Sequence, residues 1–178
     1  MAVDSFASPM DMEKRSLGQI TATSHPFLED ELEAATAAIR EYCGWHIATV
    51  QAVTLIRRFP SREHVYLPAM RIVGVVAATI DGVVLTADDL AAVEFDPVTG
   101  WSSLCGRSVS VTFNAGFVAV PADLKLLTIE LSAGALGSPL GITKEQAGGV
   151  SVTLDRASGA ITEHDGQRLV PYKLGRLP

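Results

Sequence analysis

Residues 109–127 run a strand straight into a helix, so the chain must mix the two kinds of structure. Val109, Val111 and Phe113 alternate with Ser110, Thr112 and Asn114, the period of a half-buried strand. Gly116 breaks that run and tolerates a positive φ. Pro121 suits the first turn of a helix, where its missing N–H costs nothing, and Asp123 complements the positive end of the helix dipole. Leu124, Leu127, Leu131 and Ala135 then form one apolar stripe, broadened by Leu126 and Ile129, which predicts a helix over 121–136. Gly134 and Gly137 loosen its end and Pro139 closes it.

A second stripe, Leu28, Leu32, Ala35, Ile39 and Tyr42, predicts a core helix over 26–43. Glu29, Asp30, Glu31 and Glu33 crowd its start, Arg40 lies near its end, and Gly44 follows. Between the two helices the pattern has period two. Strands are expected up to Phe59-Pro60, from Arg71 to Ile80, at 83–85, from Ala91 to Phe95 and over 108–114, with Asp81-Gly82 as a type I′ turn. Asp88-Asp89 reads as a turn or the cap of a short helix. The fold class is therefore α+β: two long helices flanking in sequence a small, mostly antiparallel sheet, with an extended C-terminal arm.

Three segments are expected. Residues 1–25 hold a short helix, capped by Ser8 and ended by Gly18, that either docks on another subunit or lies loose. Residues 26–137 form a helix–sheet–helix core. Residues 138–178 form a β-containing arm with a strand over 150–154 and a turn at 157–159. Its last eleven residues are apolar and basic, too short for a core of their own and too apolar for an idle tail.

An apolar share of 48% supplies a core, and the net charge of −6 argues against a general nucleic-acid binder. No apolar run reaches spanning length, so no membrane partner is expected, and synthesis in the cytosol follows from the lack of a signal-peptide pattern. Cys43 and Cys105 read as small core residues. His25, His46, His64 and His164 share no metal-ligand spacing, no phosphate loop occurs, and Ser102 and Ser103 lack a nucleophile elbow. These observations favour a structural protein without cofactor, metal or catalytic residues. A small-ligand binding domain or hydrolase is the rival, and it would need convergent polar groups in a pocket.

Five phrases, in order, resemble the head–tail connector (adaptor) proteins of long-tailed bacteriophages. They are the Ala-rich helix Leu32 to Ile47, the Leu67 to Gly82 hairpin, the 109–127 junction, Ile142 to Thr153, and the ending Leu169-Val-Pro-Tyr-Lys-Leu-Gly175. Phe113 and Phe117 stand where that family more often has Tyr, Gly149 where it has Asp, and Leu154 where it has Tyr. The resemblance implies a virion protein, made in the host bacterial cytoplasm and placed at the head–tail interface. It implies a homo-oligomeric ring, generally dodecameric, between the portal protein and a tail-side stopper or neck protein, with DNA passing through the lumen without sequence-specific binding. It also implies an arm that docks on the portal, here Leu169, Tyr172, Lys173, Leu174 and Arg176, so that deleting 167–178 should leave a folded subunit. Another phage neck or tail-completion protein would share the same character.

Overall fold

The computed structural model describes residues 5–137, 144–147, 150–153 and 160–175. The chain is α+β, with helices α1 (Pro9–Arg15), α2 (Leu28–Cys43), α3 (Ala87–Ala91), α4 (Ala122–Gly137) and α5 (Glu163–Leu169). The strands are β1 (Gln51–Tyr66), β2 (Ile72–Ile80), β3 (Val83–Val84), β4 (Trp101–Ala115) and a separate antiparallel pair, β5 (Lys144–Ala147) and β6 (Val150–Thr153). Two compact units result: Met1–Tyr42 with Val120–Pro171, which holds α1, α2, α4 and α5, and Cys43–Ala119 with Tyr172–Pro178, which holds the larger sheet. This division cuts across the three expected segments. The 109–127 junction contains one of the three points at which the chain passes from one unit to the other.

In the helical unit, Leu28, Leu32, Ala35 and Ile39 are buried along α2, whereas Tyr42, expected in the same stripe, is 36% exposed. Leu124, Leu127, Leu131 and Ala135 of α4 are buried as well. From Ser5 onward the N-terminal segment is tied to α2. Thr36 is buried and its hydroxyl accepts the Phe6 amide at 3.0 Å. The Arg40 guanidinium lies 4.9 Å from the Phe6 ring centroid, a cation–π distance. Met12 is buried with Leu28, Leu32 and Ile129. Full burial of a side chain of this kind contributes about 1.5–3 kcal/mol toward holding α1 in place.

All three short helices begin the same way. Ser8, Thr86 and Thr162 each cap one, and the acid three residues on, Asp11, Asp89 or Asp165, reaches back to the cap's own amide. For Asp11 and Asp89, hydrogen bonds from the cap residue hold the carboxyl below its usual range: the Ser8 amide leads at Asp11 and the Thr86 hydroxyl at Asp89. This capping overrides the strand expected over 91–95. Ala87–Ala91 is helical, and only an isolated bridge joins Phe95 to Ser102.

The larger sheet has strand order β1-β4-β2-β3, with every pair antiparallel. β1 passes through Pro60 to Tyr66, and its register with β4 shifts between Arg58 and Glu63, where proline has no N–H to give a ladder. Asp81 and Gly82 both take positive φ, +51° and +85°, as a type I′ turn requires. The Asp81 carboxylate then accepts the amides of Arg107 and Ser108, each at 2.9 Å, fixing the turn to β4. Those two amides hold the Asp81 carboxyl below its usual range. No helix among the described residues is long and apolar enough to cross a membrane.

Candidate interaction surfaces

The alternation along β4 sorts the sheet into two faces. Val109, Val111, Phe113 and Ala115 are buried, together with Leu55 of β1 and Ile72 and Ala78 of β2. On the opposite face Ala52, Thr54 and Ile56 stand across from Asn114, Thr112 and Ser110. Gly74, Ala77 and Thr79 stand across from the same three on the other side. The Thr54 and Thr112 hydroxyls meet at 3.0 Å, so the two side chains share that face. None of these nine residues is ionisable and all are exposed or half-exposed. Arg58, opposite Ser108, supplies a charge only at one end. Antiparallel faces left to water usually carry polar and charged side chains. Ile56 at 73% exposure and Val84 at 71% add apolar surface, as do Val73 and Val76 beside the two irregularities of β2. β1 is also an edge strand with one side unpaired. Arg57, Arg58 and Pro60 guard it against pairing with a like strand.

The expected docking arm is placed differently. Leu169 is 0% exposed and lies on α5, so it packs in the core of its own unit. Arg168 of the same helix pairs with Glu130 at 2.7 Å. Gly166 lies against the Tyr42 hydroxyl, so a larger residue there would require the Tyr42 side chain to shift. A deletion starting at 167 would therefore remove packed structure and not a loose end. Tyr172 and Leu174 are tethered within the sheet unit. The Trp45 indole N–H donates to the Tyr172 carbonyl at 2.6 Å, and the Leu174 amide donates to the Cys43 carbonyl at 2.8 Å. Lys173 is exposed between them, and Arg176 lies outside the described residues.

This tether is part of an aromatic cluster that the spacing of residues did not announce. The Phe117 ring lies 5.8 Å from that of Tyr172 and 6.3 Å from that of Trp45, and the Arg71 guanidinium lies 5.0 Å from the Phe117 centroid. His46 places Nε2 at 2.6 Å from the Ala115 carbonyl. The junction residues anchor the same region: Phe113 is fully buried, and Gly116 has φ +127°. Pro121 accepts the Lys125 amide through its carbonyl at 3.0 Å, one residue ahead of α4, and Leu124 is buried. Burial pushes the Cys43 thiol up to about 11, which keeps it protonated and unreactive at neutral pH. The expected turn at 157–159 lies outside the described residues, while β6 stands where a strand was expected over 150–154.

Among the described residues no group of three or more His, Cys, Asp or Glu is placed to hold a metal ion. No protein-family model matches the chain, and no curated protein matches it.

Proposed function

We propose that this chain is a structural virion protein, a head-to-tail adaptor that assembles as a ring between the portal and the tail-side neck protein and lets DNA pass. Its resemblance to phage connectors suggests the class. One structural observation carries the assembly reading: a sheet face of Ala, Gly, Ser, Thr, Asn and Ile, with no ionisable residue until Arg58, left open on the single chain. Uncharged side chains leave no charge to desolvate, in keeping with the depletion of charge at the core of protein interfaces. We assign this face to the contact with the portal, in place of the arm, because Leu169 is committed to the core and Tyr172 and Leu174 are tethered to their own unit. The overall charge of −6 suits a lumen that must not hold DNA.

Thr112→Arg tests the assignment. Thr112 lies on the central strand of the uncharged face, and a guanidinium there would be forced into any interface that covers it. The variant should stay folded, losing about 1 kcal/mol at most with the Thr54 hydroxyl contact. It should fail to co-purify with the portal protein. Unimpaired co-purification would show that this face is not the contact.

A further inference from the structure

The helical unit carries fourteen acidic residues against seven basic ones, a net of −7. Three of those seven cations, Lys14, Arg15 and Lys125, nevertheless line one hollow of about 320 Å³ between α1 and α4. Its apolar lining includes Leu126 and Ile129, and its one acid, Asp11, is engaged by Lys125 at 3.2 Å. Lys14 and Arg15 are exposed. A mixed hollow of this kind, apolar within and cationic at the rim, fits an apolar side chain flanked by carboxylates.

The same unit displays such a group. Phe27 is 68% exposed, although an aromatic ring is among the costliest side chains to leave in water. Its carbonyl accepts the Glu31 amide at 3.0 Å, which fixes it at the head of α2. Glu29 and Asp30, both exposed, follow it directly. We infer that the hollow between α1 and α4 receives Phe27 of a second copy of this chain, with Glu29 and Asp30 of that copy facing Lys14 and Arg15. Knob and hollow are different patches of one surface, so each copy has one to give and one to fill, as a repeating head-to-tail contact requires. An aromatic anchor seated in a pocket and ringed by charge is the usual form of an interface hot spot. The inference rests on the proposed self-assembly and names the contact that performs it.

Sedimentation equilibrium of the full chain in low salt tests it. The wild type should associate with rising concentration. Phe27→Ala should weaken association at least about 30-fold, the scale of a lost hot spot. K14E/R15E and E29K/D30K should each be monomeric while remaining folded, with a thermal midpoint lowered only by the reversed charges at the end of α1 and the start of α2. An equimolar mixture of the two should associate again, because each then offers the complement of the other. A wild type that associates while F27A is unaffected, or a mixture that stays monomeric, overturns this contact and leaves the adaptor reading standing. A wild type that is monomeric even at about 1 mM, where a contact as weak as about −4 kcal/mol would still be seen, overturns both.

Discussion

Leu169→Ala should destabilise the protein by about 2–5 kcal/mol, the cost of emptying a buried leucine site. A docking arm would predict no change at all in the isolated chain. The expectation follows from what surrounds the residue. The capping box of Thr162 and Asp165 starts α5, Arg168 holds Glu130 at 2.7 Å, and Gly166 fits beneath Tyr42, so the helix has little freedom to close over a cavity. Two-state urea unfolding followed by circular dichroism measures the loss as a lower midpoint at unchanged slope. A midpoint equal to that of the wild type would restore Leu169 to the surface role that its sequence context suggests.

Gly116→Ala should cost more than about 2 kcal/mol, since the strain of a positive φ adds to overpacking. At φ +127° an L side chain is strained whatever the space. A Cβ there would also lie 2.8 Å from His46 Nε2 and 2.9 Å from the Thr49 carbonyl oxygen. Neither neighbour is free to retreat. His46 is engaged with the Ala115 carbonyl, and the adjoining backbone is pinned where the Phe117 amide donates to the Ile47 carbonyl at 2.8 Å. The Gly116 amide itself donates to the Arg71 carbonyl at 3.2 Å. The same unfolding measurement applies, and an alanine variant as stable as the wild type would mean that the backbone here adapts.

The helices were legible because their stripes are long and regular. Leu28 to Ile39 and Leu124 to Ala135 repeat at helical spacing, and both were found buried. The Asp81-Gly82 turn was legible because few residue pairs accept two positive φ values. The early half of β4 was not, because small or polar residues take the inward positions on either side of Leu104. Ser102 is buried with its hydroxyl donating to the Val65 carbonyl at 2.6 Å, and Gly106 sits where a Cβ would meet Ile80, so hydropathy does not alternate over 101–107. α5 was missed for a related reason. Seven residues with a glycine among them show no stripe, although Thr162 and Asp165 have the capping-box spacing that also starts α1 and α3.

The interaction surfaces needed the register. Thr54, Thr112 and Ala77 are far apart in the chain and individually unremarked, and only strand pairing shows that they share one uncharged face. The sequence pointed to the two termini as the parts in need of a partner. Instead, Phe6 and Met12 at one end and Leu169 and Tyr172 at the other are held within their own units. What remains open includes the sheet face and the exposed Phe27. The physical case for assembly therefore rests on the sheet face, on Phe27 and on the hollow beside α1, and not on the expected arm.

Electron microscopy of the protein mixed with the portal protein that it is proposed to cap tests that case most directly. The account predicts a ring of this chain capping the portal, with the face bearing Thr54 and Thr112 buried against it. A portal that stays bare at saturating protein, beside a chain that remains a lone monomer with that face in water, would contradict it.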